Sequence, residues 1–232
     1  EYDWYMAELQ EKGGIVEELI TGEQLFSPSV QMRITPLGEV ELLSTHDQIL
    51  GGPSGQTYTG ARFPANPEYG PMITREAEKI GKRFAKEGVI GRFALDFIVI
   101  RSRWRWEQYA IEVNLRKGGT THPYLTLLFL TGGKFNPTTG IYKTLQGHSK
   151  YYVATDALKS DAFKKLTPSA VFDLVSEHRL HFDHTSHTGI VLHMLSSIST
   201  LGKLGLTAIG DSPEHAEGIY KKFIDVLEKA AE

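Results

Sequence analysis

The 232-residue sequence has no cysteine, which excludes disulfides and thiolate metal sites and leaves oxygen and imidazole groups as the strong metal donors. It has no apolar run approaching the ~18 residues that suggest a membrane-crossing helix. Neither sign of charge dominates: 25 Lys and Arg against 28 Asp and Glu leave a formal net charge of -3. The chain as a whole therefore has no field to attract nucleic acid or an anionic membrane, and neither is expected as a partner. An anionic ligand must be held by a local group of cations and amides. Internal repeats, low-complexity tracts and a secretory leader pattern are also missing, and the lack of cysteine fits a reducing cytoplasm, the expected location. The first residue is Glu1 in mid-pattern, so the natural protein is expected to extend upstream.

What is present is an ordinary globular composition, 41% hydrophobic and 23% charged, enough for a sizeable core. Tyr2–Glu11 reads as a short helix stopped by Gly13-Gly14, and Ile15–Ile20 as a strand or edge segment. Val30–Thr35 and Glu39–His46 form a hairpin around Pro36-Leu37-Gly38. The glycines and prolines between Ile49 and Tyr69 predict a long loop. Thr74 is the expected cap of a helix running to about Lys86. Beyond Asn136-Pro137 the chain reads as helix-dominated: one helix from Thr167-Pro168, one from Thr188-Gly189 to about Leu201, and a closing one capped by Ser212-Pro213-Glu214. Leu204–Ile209 is the one strand expected there.

Two strands carry the chemistry. Gly91–Ile100 and Gln108–Arg116 both alternate apolar and polar residues, and the polar link between them suits a hairpin. A period of two puts Glu112, Asn114 and Arg116 on one face, with the opposite face apolar and expected to pack. Asp96 on the paired strand reaches the same side. Two carboxylates and an amide oxygen suit Mg²⁺, which takes one or two carboxylates together with water and phosphate oxygens. Arg116 is expected to face a phosphoryl oxygen, and the loop at Gly118-Gly119 to offer backbone N–H groups to an anion. On composition alone, the same row also reads as salt-bridged residues on a solvated sheet face.

Glu112-Val-Asn114-Leu-Arg116 with Gly118-Gly119-Thr120-Thr121-His122-Pro123 resembles the second metal-binding strand and glycine loop of ATP-grasp carboxylate–amine ligases. Gly91-Arg-Phe-Ala-Leu-Asp96-Phe resembles their first metal-binding strand, and Ile15–Glu23 the hinge that holds adenine. Asn114–Pro123, Gln48–Tyr58, Gly189-Ile-Val-Leu-His193-Met and Gly202-Lys-Leu-Gly205 are similar to the pheganomycin-type peptide ligase group, over nearly the whole chain. The resemblance implies ATP and Mg²⁺ (or Mn²⁺) as cofactors, and small carboxylate, amine or peptide substrates joined through an acyl phosphate. It implies Asp96, Glu112 and Asn114 as metal ligands and Arg116, Gly118 and Gly119 as catalytic groups. Glu17, Glu18, Ile20 and Glu23 are implied around adenine and ribose. Arg33 and Gln48 are further candidates on the nucleotide side, and Thr120, Thr121 and His122 on the substrate side. The implied fold is α+β: an ATP-grasp C-terminal lobe at residues 1–135, mostly antiparallel sheet flanked by helices, and a helix-rich subdomain at 136–232. Only sixteen residues precede Glu17, so the upstream lobe that grips the phosphates, and the substrate domain before it, are expected outside this sequence. An ATP-grasp-like nucleotide-binding or scaffold module without ligase activity is the alternative.

Some residues invite other readings. His178, His181, His184 and His187 recur every third residue, but Asp183, Thr185, Ser186 and Gly189 break any helix that would align them, so a structural role is expected rather than zinc. His46 is a candidate for lining the nucleotide or substrate side. A surface ion pair is the competing reading for Arg33.

Overall fold

The computed structural model describes residues 2–53 and 55–232; Glu1, and Ser54 within the Gln48–Tyr58 motif, lie outside the described residues. In chain order the elements are α1 (Tyr2–Lys12), β1 (Gln24–Phe26), β2 (Pro28–Ile34), β3 (Val40–Gly51), β4 (Thr57–Phe63) and α2 (Gly70–Lys86). Then come β5 (Gly91–Arg101), β6 (Trp106–Asn114), α3 (Thr121–Thr131), β7 (Lys134–Asn136), β8 (Ile141–Lys143) and β9 (Tyr151–Lys159). The chain closes with α4 (Pro168–Glu177), β10 (Gly189–His193), α5 (Ile198–Leu201), β11 (Lys203–Gly210) and α6 (Pro213–Ala231).

Nine strands form one antiparallel sheet in the order β1-β5-β2-β3-β4-β9-β11-β10, with β6 on the other edge of β5; β7 and β8 make a separate hairpin. Alternation along the strands gives the sheet two faces. On the first, Ile73 and Ala77 of α2 pack on Val30, Met32, Leu95 and Phe97. Farther along the same face, Phe223 and Leu227 of α6 pack on Leu204, Leu206 and Ala208. On the second, Tyr124 and Leu127 of α3 cover Phe63, Tyr152, Ala154 and Ile209. The rest of that second face, over β5, β6 and β3, is left open by helices and carries the polar residues discussed below.

This is the α+β, mostly antiparallel architecture expected, with four local differences. Residues 13–23 contain no regular element, so Ile15–Ile20 is not a strand. The predicted loop between Ile49 and Tyr69 holds the end of β3 and all of β4. Its Gly60 is there because a Cβ would lie 2.4 Å from the Ala154 carbonyl oxygen across the β4–β9 ladder, not because the chain turns. Thr74 sits inside α2, its hydroxyl donating to the Gly70 carbonyl at 2.7 Å, while the helix starts at Gly70-Pro71. The stretch after Thr188 forms β10, and with β9 and β11 it extends the same sheet across the 135/136 boundary. Gly189 starts that strand at φ 123°, where a Cβ would fall 2.3 Å from the His181 carbonyl oxygen.

His46 belongs to the core. It is fully buried, with Nε2 2.6 Å from the Tyr152 hydroxyl and its ring against Phe63, and burial pulls its pKa down to about 3. The histidine row does not converge either. His178 ends α4, and His184 and His187 lie against different sides of Phe182, at 84° and 19° to its ring.

Candidate active site

Strand register brings the expected trio together. Asp96 is paired with Glu112 and Ala94 with Asn114 across the β5–β6 ladder, so the three side chains share the open face. The Asn114 amide donates to Asp96 Oδ2 at 3.0 Å. Asp96 is half-buried, and that burial raises its pKa; hydrogen bonds from Ser29 and Gln48 oppose the rise, and the neighbouring Glu112 carboxylate adds to it. Asp96 and Glu112 stand opposite each other with the Asn114 amide beside them, a donor set whose negative charge a divalent ion would neutralise. The donor set, all hard oxygen, fits Mg²⁺.

Asp96 and Glu112 line a pocket of about 940 Å³, with Asn114 held beside them by its bond to Asp96. Ile98 and Ile100 continue along β5 on the same face, Leu25 of β1 stands beside Ile100 in the ladder, and Leu19 and Ile20 of the segment before β1 also line the pocket. A register shift between Asp96 and Phe97 places an extra residue on β6, so Ile98 opposes Tyr109. Simple alternation puts Ala110, not Tyr109, with Glu112. The bulge brings an aromatic ring to the pocket face instead. Glu17, Glu18 and Gln48 line the same pocket, the glutamates from the irregular segment before β1.

Other expected residues are placed elsewhere. Glu23 is exposed and does not line the pocket. Arg33 points from the same sheet face, but its Nε donates to Glu41 at 2.5 Å; that bond raises the arginine pKa and lowers the glutamate's, so the ion-pair reading holds. Arg116 is not a strand residue, since β6 ends at Asn114; its guanidinium donates to the Lys117 carbonyl at 3.5 Å and it is exposed. The Gly118 N–H is taken by the Thr121 hydroxyl at 3.2 Å, so that amide is not offered to an anion. Thr120 and Thr121 are buried in the same loop. Gly119 lies against Tyr58, whose Cε1 would be 2.7 Å from an added Cβ.

Three residues missed in the sequence stand beside the glycine loop: Tyr58 on β4, Asp156 on β9 and His193 on β10. The rings of His122 and His193 are 4.4 Å apart. Burial, then the neighbouring His122, draw the His193 pKa down to about 4, against the opposing pull of Asp156. Burial first, then the carboxylates of Asp156 and Asp96, push the Tyr58 hydroxyl upward. His193 and Gly205 stand inside sequence motifs already noted, but nothing in one dimension showed that they meet the glycine loop. Ile98 and Ile100 had a signal, the period of two from Asp96.

Residues 1–138 match the family model described as IQCH-like, ATP-grasp. The chain belongs to the ATP-grasp family. Residues 170–223 of this ATP-grasp chain match a second model, the PGM1 C-terminal domain. An L-propargylglycine–L-glutamate ligase of Streptantibioticus cattleyicolor is 33% identical over 214 residues, covering 92% of this chain and 43% of the relative. The chain thus spans less than half the length of that curated relative. Among solved structures, the L-amino acid ligase of Bacillus licheniformis superposes with a TM-score of 0.60 at 16% identity, over 97% of this chain and 58% of that one. N5-carboxyaminoimidazole synthase of Aspergillus clavatus, solved with ADP and a ribonucleotide, gives 0.59 at 12% identity, over 97% and 57%. These two likenesses show the fold. No helix among the described residues is long and apolar enough to cross a membrane.

Proposed function

We propose that this chain is the nucleotide- and metal-binding part of an ATP-dependent carboxylate–amine ligase that works through an acyl phosphate. The observation that carries the reading is the convergence of Asp96, Glu112 and Asn114 at the polar end of a slot walled by Ile98, Ile100, Tyr109 and Leu19. Such a slot suits a purine, stacked on apolar and aromatic groups, with its phosphates directed at the trio. Mg²⁺ held by the trio would supply positive charge to the phosphoryl oxygens during transfer. Gln48 and Ser29 hydrogen-bond to Asp96 and orient its carboxylate toward that site. Glu17 and Glu18 are assigned to the base end of the slot. Arg116, on the exposed loop after β6, is assigned to the transferring phosphoryl group, and the Gly119 amide to the carbonyl oxygen of the activated acid.

The relative's name supports amino acids as the substrate class, one supplying the carboxylate and the other the amine. Residues 1–135 would then hold the nucleotide, and residues 136–232 would extend the sheet under the substrate side. The apolar residues left exposed around the slot favour a further lobe closing over the nucleotide.

The test uses the natural full-length polypeptide with Mg²⁺, ATP and a panel of amino acids as carboxylate donors, with hydroxylamine as trapping nucleophile. ADP and hydroxamate appearing together, and only in the presence of the acid, support the reading. Nucleotide binding without ADP or hydroxamate from any acid would instead identify a binding module that does not ligate.

A further inference from the structure

Beyond the nucleotide slot, the open face carries a second polar group that the metal trio does not use. Across the sheet, Tyr58, Asp156 and His193 project to this face from β4, β9 and β10. The glycine loop lies over them, with Gly119 on the Tyr58 ring and His122 beside His193. The group is built rather than incidental: a Cβ at Gly205 would lie 2.2 Å from His193 Nε2, so glycine makes the space in which the imidazole sits.

These polar groups do not satisfy one another. Among the described residues, Asp156 makes no ion pair or hydrogen bond, although it is half-buried. Among the described residues, the Tyr58 hydroxyl makes no hydrogen bond, and His193 Nδ1 is buried without one. Leaving a half-buried carboxylate and an imidazole unpaired costs free energy, which a ligand donating hydrogen bonds would recover. At neutral pH the imidazole is uncharged, because its burial holds its pKa near 4, so it can accept such a bond. One carboxylate and a neutral imidazole call for a donor with positive charge.

Resting on the ligase reading, we propose that Asp156 and His193 form the subsite for the amino group of the attacking substrate, with Tyr58 linking it to the metal-binding end. The carboxylate and the imidazole accept N–H hydrogen bonds and hold the nitrogen beside the glycine loop. Asp156 and His193 stand on β9 and β10, beyond β4 from the strands of the trio, and that distance from the nucleotide slot assigns the site to the attacking amine rather than to the acid.

The test again uses the full-length polypeptide, with histidines labelled at Cε1 and the His193 resonance identified from a His193→Asn variant. Adding L-alaninamide, which carries an amino group but no carboxylate, should move the His193 resonance, and Asp156→Asn should abolish that response. In steady-state ligation, Asp156→Asn and Gly205→Ala should each raise the amine KM by about 10-fold or more, as expected for loss of a charge-assisted hydrogen bond. The acid KM should change far less. A His193 resonance unmoved by L-alaninamide overturns the proposal, and so does a rise confined to the acid KM. Hydroxamate formation by the unmodified protein reports separately on the ligase reading, since its failure leaves the resonance measurement to decide the subsite.

Discussion

At the β9–β11–β10 end of the sheet, Leu204, Leu206 and Ala208 are fully covered by Phe223 and Leu227 of α6, whereas on β6 at the other end Ile111 and Val113 are 39% and 45% exposed. The alternation on β6 predicts that its apolar face packs, but no helix among the described residues covers it. Packed apolar surface is worth about 25 cal/mol per Å², so the first end contributes stability that the second forgoes. The uncovered end is the one that carries the pocket proposed for the nucleotide. There Leu19 and Ile15 are also more than four-fifths exposed. One end of the molecule is thus finished as a core, and the other keeps its apolar residues exposed.

The largest expected effect breaks or confirms the role of the open end. Glu112→Ala in the full-length polypeptide should lower Mg·ATP-dependent ligation by at least about 10²-fold, as losing a charge-positioning group does. Circular dichroism should stay unchanged, because Glu112 is exposed. Ligation that survives would sink the site assignment. By the same logic, the 232-residue chain alone should bind ATP weakly and release no ADP, and detectable ATP-dependent turnover would show that the open end needs no closing lobe.

Where the sheet is packed the effect is on stability. Phe63 of β4, under α3, is 2% exposed, stacks on Tyr152 at 4.8 Å and touches four further rings, His46 among them, so Phe63→Ala should cost about 3–5 kcal/mol in denaturant unfolding. Ile111→Ala on β6 should shift the same curve by less than about 0.5 kcal/mol. Equal costs would erase the contrast between the packed sheet and the open end.

A pH series sharpens the contrast further. His46 in the core has its pKa lowered from 6.5 to about 3, so folded protein binds fewer protons than unfolded protein between those values. Its contribution is complete above pH 6.5 and is lost as the pH falls, by up to about 1.4 kcal/mol per pH unit. Replacing His46 with Asn should flatten the slope seen in urea midpoints between pH 6.5 and 4.5. The smallest effect belongs to Arg33. Its exposed pairing with Glu41 predicts that Arg33→Met changes neither stability nor nucleotide affinity measurably, and a lost affinity would return Arg33 to the site.

Legibility in the sequence followed range. The meeting of Asp96, Glu112 and Asn114 was readable because two of them stand two residues apart on one strand and the third on the strand just before it, where period and pairing are local. The closing helix was readable from Ser212 capping the His215 N–H and from the apolar spacing behind it. Arg116 was misread because the strand stops two residues short of it, and Thr188–Leu201 because Gly189 and a following apolar run fit a helix start as well as a strand. The β5–β6 bulge left no sign in residue type, so Tyr109 was put on the wrong face.

By itself the sequence determined the family, the antiparallel α+β class, and the pairing of two carboxylates with an amide on neighbouring strands. Each of these rests on short-range alternation and contiguous motifs. Only the tertiary structure decided that His46 is core rather than site, that one face of β6 stays open, and that Tyr58, Asp156 and His193 meet under the glycine loop. These three stand on strands far apart in the chain, and it is the order of strands in the sheet, set by which apolar faces find cover, that brings them together.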